Sequence, residues 1–321
     1  MKSFWIDGDT MGLVPREVPE PELKPGTVLT RMRAVALNRG EFVKGHGLHK
    51  PGSVKTAGYE GAGEIIAVAA DVTHLRVGDR VMGRADASFA EVARMNASET
   101  LKIPVSMTWE AAAGSGITYI TAYDGMFTEG NVQAGDWVLV TGASSGVGVA
   151  CVQIAKAIGA HSFGVTSSAA KLDKLKSIGM DTGAATRAPN FANQVLAATG
   201  GDGAKIGINN SGGDALAESL RSLRYKGVQV IVGYVDGNVV PVFDLLAVHV
   251  NRLRVVGVSF KKRSLAERFE TTRGFETTVL PLMASGAVKP LVDRVFKFDE
   301  LPAAREYMES DQHLGKIVAV L

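Results

Sequence analysis

At 321 residues, with 46% hydrophobic and 21% charged side chains, the chain is long enough for two cores and has the balance of an α/β enzyme, not of a disordered or fibrous protein. A formal net charge of +2 gives no electrostatic case for nucleic acid or an anionic membrane as partner. No apolar run approaches the roughly 18–20 residues that span a bilayer, and the single cysteine, Cys151, excludes an intrachain disulfide framework and points to the cytosol.

The opening segment Met1–Gly8 places an Asp and a Gly where a signal peptide needs an apolar core, and it reads as a first strand. Val28–Leu37, Gly61–Ala69 and Asp79–Met82 are predicted strands, and Pro19, Pro21 and Pro25 punctuate the loops between them. This first stretch of about 120 residues has the pattern of a mostly β domain. After Trp109 the pattern changes. Strands are predicted at Asp136–Thr141, Ser162–Thr166, Ile206–Asn210, Val228–Gly233 and Leu253–Val258, with helices at Val147–Ile158, Ala169–Ile178 and Ala215–Leu223. Strands alternating with helices imply βαβ units and a parallel sheet. The closing run Lys316–Leu321 is predicted as a strand that rejoins the first domain.

The strongest local signal is Thr141-Gly-Ala-Ser-Ser-Gly-Val-Gly148, a buried strand running into small residues and then a helix. Gly142, Ala143, Ser144, Ser145, Gly146, Val147 and Gly148 allow the backbone to approach a pyrophosphate, and the helix N-terminus offers N–H groups and a positive dipole end. Ala143 and Ser145 depart from a strict G-x-G-x-x-G, so the strand–turn–helix context carries the assignment. The short-chain dehydrogenases have a similar turn, but pair it with a Tyr-x-x-x-Lys. No tyrosine of this chain has Lys four residues on.

The chain instead resembles the medium-chain dehydrogenase/reductases, and among them the zinc-free, quinone oxidoreductase-like branch. The resemblance rests on Ala36-Leu-Asn38, Gly58-Tyr-Glu-Gly-Ala-Gly63, Val77–Val81, Phe89-Ala-Glu91, Thr121-Ala-Tyr123, the glycine turn and Gly315-Lys-Ile-Val318, in family order over nearly the whole chain. It implies an α/β architecture: a Rossmann doubly wound parallel sheet, about 122–266, inserted in a discontinuous, mostly β, GroES-like catalytic domain, about 1–121 and 267–321. It also implies reduction of a small molecule in the cleft between domains, and a homodimer formed through an apolar strand at Val248–Phe260.

A catalytic zinc needs about three Cys, His or carboxylate ligands. At the family's ligand positions this chain reads Asn38-Arg-Gly-Glu41, Gly58-Tyr59-Glu60 and Gly114-Ser-Gly116, so no metal is expected there. His46 and His49 flank a Gly-rich loop with no third ligand near them in sequence. Without a Lewis acid, hydride transfer to a simple ketone loses its main means of stabilising the alkoxide. Quinones and the C=C bond of α,β-unsaturated carbonyls spread that charge themselves, and they are the expected substrates, with Asn38 and Tyr59 as polar groups near the acceptor. Two rival readings stand beside this one: a zinc-type alcohol dehydrogenase with unusual ligands, and a non-catalytic NADPH-binding redox sensor.

NAD-specific Rossmann folds carry an acidic residue at the end of the second strand. Here Thr166, Ser167, Ser168 and Lys171 occupy that region, which suits the 2′-phosphate of NADPH. The resemblance adds Arg187 near the phosphate, Thr121 near the nicotinamide, Gly233, Tyr234 and Val235 after a strand end, and Phe260, Gly315 and Lys316 along the nicotinamide end.

Overall fold

The computed structural model describes residues 1–43 and 52–321, so His46 and His49 lie outside the described residues. The chain divides into two units, Met1–Ile117 with Pro290–Leu321, and Thr118–Lys289. In chain order the first unit contributes β1 (Lys2–Asp7), β2 (Leu13–Glu17), β3 (Thr27–Ala36), β4 (Val54–Thr56), β5 (Glu60–Val68), β6 (Arg80–Asp86), β7 (Val92–Lys102) and α1 (Trp109–Ala113). The second comprises α2 (Thr118–Tyr123), a π-helical turn at Asp124–Glu129, β8 (Trp137–Thr141), α3 (Gly146–Ala157), β9 (His161–Thr166), α4 (Ala169–Ser177), β10 (Thr182–Ala185) and α5 (Ala192–Ala198). It continues through β11 (Ala204–Asn209), α6 (Leu216–Arg221), β12 (Leu223–Ile231), α7 (Leu245–Asn251), β13 (Arg254–Gly257), α8 (Leu265–Thr278) and α9 (Leu280–Ala284). The chain then returns to the first unit with β14 (Val292–Lys297), α10 (Leu301–Glu309) and β15 (Lys316–Val320).

In the first unit, alternation of buried and exposed residues along β3 and β7 sets one face of each strand against a core of Phe4, Ile6, Met32, Ile65, Phe89 and Met95. Six strands run in the order β14-β15-β3-β5-β6-β7, and β7 also pairs with β3, so four of them close on themselves. Closure removes sheet edges that would otherwise recruit other chains. As expected, β15 rejoins this domain, with Val318 opposite Ala36.

The second unit is a parallel sheet in the order β10-β9-β8-β11-β12-β13. Its strand order reverses between β8 and β11, the switch point at which open α/β sheets bind ligands beyond their strand ends. The buried runs of β8 and β11 belong to strands covered on both faces.

Three sequence expectations change. The segment 267–289 groups with the second unit: α8 begins with a Ser264/Glu267 capping box and packs on α2, where Gly274 leaves room for the Tyr123 ring. Val248–Phe260 is not one strand. Asp244 caps α7 by accepting from the Ala247 N–H, the helix runs to Asn251, and a left-handed Arg252 separates it from the four-residue β13. Finally, β10 and α5 have no counterpart among the predicted elements, because Thr182-Gly-Ala-Ala185 is too short and too small to show a strand period.

Candidate active site

The glycine turn lies at the switch point of the second unit. Gly142 has φ +61°, and a Cβ there would stand 3.2 Å from the Asn210 side chain. At Gly148 a Cβ would come within 2.6 Å of the carbonyl oxygens of Gly142 and Ala143, so only glycine lets α3 start this close to the turn. Ser145 caps α3 by accepting from the Gly148 N–H at 3.1 Å. Gly146 and Val147 follow as its first residues, and their N–H groups have no intrahelical acceptor.

At the end of β9, Thr166 Oγ1 lies 3.5 Å from Ser144 Oγ, and Ser168 begins α4 with no side-chain cap bond. Lys171 is half-buried in the first turn of that helix. The Thr186 N–H donates to the Thr166 carbonyl at 2.8 Å, which brings the exposed Arg187 beside the same strand end. Asp173 is exposed on α4, and Asp181 is engaged with His161 and the Ser162 N–H at the opposite end of β9. The end of β9 therefore gathers hydroxyls and cations, with both nearby carboxylates turned elsewhere.

Sequence reasoning missed the partner side of the turn. Asn209 Oδ1 accepts from Thr141 Oγ1 and from the N–H groups of Ser211 and Gly212. Asn210 donates to the Thr141 carbonyl, while its Oδ1 is buried with no partner among the described residues. Such an orphaned acceptor is costly unless something completes it. Gly233 approaches the Asn210 carbonyl, and the Asp236 N–H donates to the Ser211 carbonyl, so the Gly233–Val235 loop is tied to this same edge. The signal was available: the residues after β11 border the switch point by topology.

The helix that carries Thr121 runs directly into the π-helical turn. Asp124, fully buried at its start, takes both guanidinium nitrogens of Arg263, at 2.6 and 3.2 Å. That guanidinium also covers the Phe260 ring at 4.7 Å. Interruptions of this kind in a helix recur at functional sites.

In the first unit, four segments meet in a buried polar cluster. Lys316 Nζ donates to the Leu37 carbonyl at 2.8 Å, to Asn38 Oδ1 at 2.8 Å and to Glu60 Oε1 at 2.6 Å. Asn38 Nδ2 donates to Glu41 Oε1 and Glu60 Oε1, at 3.1 and 3.0 Å, and the Ile117 N–H donates to Glu60 Oε2 at 2.6 Å. The three donors of the Lys316 ammonium are all used within the cluster, and the Asn38 amide is likewise committed to it. Gly315 precedes Lys316 with φ +89° against Leu291. Tyr59 is half-buried beside the cluster, with the Arg84 guanidinium 5.8 Å from its ring. Burial, and then the charge of Glu41, push its phenol up. Ser115, at the last family ligand position, is buried and donates to the Ala111 carbonyl. Among the described residues no three His, Cys, Asp or Glu side chains gather as a metal-binding group, and no helix is long and apolar enough to cross a membrane. Cys151 is buried inside α3, where burial pushes its thiol up to about 12.

The family model described as zinc-binding dehydrogenase matches residues 146–275, and the one described as alcohol dehydrogenase GroES-like domain matches 24–122. Among solved structures, mycobacterial Rv1454c complexed with NADPH is 25% identical with a TM-score of 0.87, and a mycobacterial quinone oxidoreductase is 25% identical with a TM-score of 0.84, each over the whole of both chains. The CurK enoyl reductase is 26% identical with a TM-score of 0.84, over 99% of this chain and 98% of that one. The human synaptic vesicle membrane protein VAT-1 homolog is 29% identical over 97% of this chain and 83% of its own length. By contrast, the chain spans 5% of the polyketide synthase GfsB of Streptomyces halstedii, to which it is 30% identical. These matches define a class first, an oxidoreductase with a GroES-like β unit and a Rossmann-like parallel sheet. Within it, the chain belongs to the medium-chain dehydrogenase/reductase family, in its quinone oxidoreductase-like branch.

Proposed function

We propose that this protein is an NADPH-dependent, metal-independent reductase of quinones or of the C=C bond of α,β-unsaturated carbonyl compounds. The observation that carries the reading is the use of the family's zinc positions for other bonds. Asn38 has both polar atoms committed to Lys316, Glu41 and Glu60, the Ser115 hydroxyl is turned to a carbonyl, and Tyr59 replaces the imidazole. A buried ammonium at this point also repels a divalent cation.

NADPH supplies a hydride when bound. The turn 142–148 holds the pyrophosphate by backbone N–H groups, and Asn210 Oδ1 offers an acceptor for a ribose hydroxyl. Thr166, Ser167, Ser168, Lys171 and Arg187 hold the 2′-phosphate. Within the second unit, Thr121, Gly233, Tyr234, Val235 and Phe260 line the nicotinamide end. Tyr59 orients the acceptor, with Asn38 bracing the segment behind it. A conjugated acceptor delocalises the incoming charge, so no Lewis acid is required. The NADPH complex of the mycobacterial relative and the quinone and enoyl reductase neighbours support this reading.

The test is NADPH oxidation against quinones, alkenals, enones and enoyl thioesters, before and after exhaustive chelation. Turnover that survives chelation is expected. Stoichiometric zinc whose removal abolishes turnover would sink the metal-independent assignment, and binding of NADPH with no turnover on any acceptor would favour a sensor.

The same reading extends to a cytosolic homodimer. Among the described residues the edge strand β13 pairs on one side only, and Val240, Val242, Leu245, Leu246 and Val255 are exposed before and along it. Light scattering should report a dimer at micromolar concentration, and Leu246→Glu with Val255→Lys should give a folded monomer.

A further inference from the structure

We propose that Arg263 is a positioning residue for the nicotinamide ring: clamped on Asp124, it sets where the Phe260 ring stands at the nicotinamide end. This rests on the reductase reading above, which supplies that place for Phe260. Arg263 lies in the short turn between β13 and α8, and its N–H donates to the Phe260 carbonyl at 3.3 Å. The turn is tied at both ends. The Val258 N–H donates to the Ile231 carbonyl at 3.3 Å, where β12 ends, and Ser264 opens α8 with its capping box. Between those ties Ser259, Lys261 and Lys262 are exposed, and Phe260 is half-buried.

The Arg263 side chain fixes what the backbone leaves open. Both its terminal nitrogens reach Asp124, which is 0% exposed, and Nη1 also donates to Thr271 Oγ1 on α8 at 2.9 Å. Two bonds to one carboxylate set the plane of the guanidinium as well as its position. The Phe260 ring stands against that guanidinium, 4.7 Å from its central carbon. The elements that carry the clamp are themselves packed together, since a Cβ at Gly274 would overlap the Tyr123 hydroxyl, so α8 lies close on α2. Apolar residues of like volume often stabilise a core as well as a buried ion pair does. What the pair adds here is one defined arrangement of the turn.

The consequence for the reaction is geometric, and no bond forms or breaks at Arg263. Hydride transfer needs donor and acceptor at near-attack distance, and a displacement of about 1 Å can lower the rate about 100-fold. Lysine at 263 keeps a positive charge beside Asp124 but has no planar fork to carry a ring. The contacts proposed for the pyrophosphate and the 2′-phosphate draw on other residues. Affinity for NADPH and the rate of hydride transfer should therefore separate.

The experiment uses the full chain as wild type, Arg263→Lys, Phe260→Ala and the double variant. Each single variant should lower kcat with the fastest acceptor by about 10- to 100-fold, while its Kd for NADPH stays within about threefold of wild type. The double variant should lose no more than the larger single loss, because both changes remove the same contact. With no acceptor present, the emission of NADPH bound to either single variant should move from that of the wild-type complex toward that of free NADPH. Wild-type kcat in Arg263→Lys, or losses that add in the double variant, overturns the proposal. A Kd that rises in step with the fall in kcat assigns Arg263 to the stability of the turn and overturns it too. Phe260→Ala leaves the Asp124 pair intact, so wild-type kcat in that variant overturns the proposal whatever Arg263→Lys does to folding. A wild type that turns over no acceptor, while the emission of its bound NADPH still depends on Arg263, overturns the reductase reading instead.

Discussion

The glycine turn of the second unit and the polar cluster of the first are built on opposite terms. The turn uses backbone. Its essential atoms come from seven consecutive residues, and the side chains matter mainly by being small. The cluster uses side chains. Asn38 and Glu41 come from one loop, Glu60 from β5, Lys316 from β15, and the N–H that completes Glu60 from Ile117. A backbone site tolerates change outside the points of closest approach. A buried ionic site tolerates none that leaves a charge alone.

The sharpest way to break the comparison is Lys316→Met. It leaves Glu60 buried and unpaired, and should cost about 3–5 kcal/mol of stability, read by denaturant unfolding. Restoring most of that stability with Glu60→Gln on top would show that the loss is electrostatic; no recovery would assign it to packing. Gly148→Ala probes the other region. Its Cβ would meet two carbonyl oxygens at 2.6 Å, so the helix start must shift, with a loss of about 1–3 kcal/mol. NADPH affinity should fall at least in step with stability if the displaced atoms are those proposed to hold the pyrophosphate. Unaltered affinity would remove the turn from the binding site. The smallest effect, and the most selective, is that of Lys171→Ala, which should weaken NADPH by about 1–2 kcal/mol and leave NADH almost unchanged. Equal losses for both cofactors would take Lys171 out of the 2′-phosphate site.

Much of the nucleotide side was legible in the sequence because its signals are local. The strand, turn and helix at 137–157 lie within two residues of expectation, and the absence of an acidic residue after β9 can be read without coordinates. Asn209 and Asn210 were missed because their importance comes from lying across the switch point from Gly142, a relation of strand order and not of spacing. The strand expected over Val248–Phe260 failed for a local reason overridden by tertiary context. Alternating Arg and apolar residues suited a strand, but the Asp244 cap and the left-handed Arg252 set a helix before it.

By itself, the sequence determined the βαβ alternation, the strand–turn–helix around the glycine-rich run, and the donor chemistry that Asn38, Tyr59 and Ser115 can offer. Periodicity, small-residue runs and donor chemistry belong to short stretches of chain. Only the tertiary structure decided that Lys316 is the buried counter-ion of Glu60, and that Glu41 and Glu60 accept from one Asn38 amide. Those facts depend on residues 256 and 19 positions from Glu60 meeting in one dry space. There the low dielectric, and not the residue type, sets which groups carry charge.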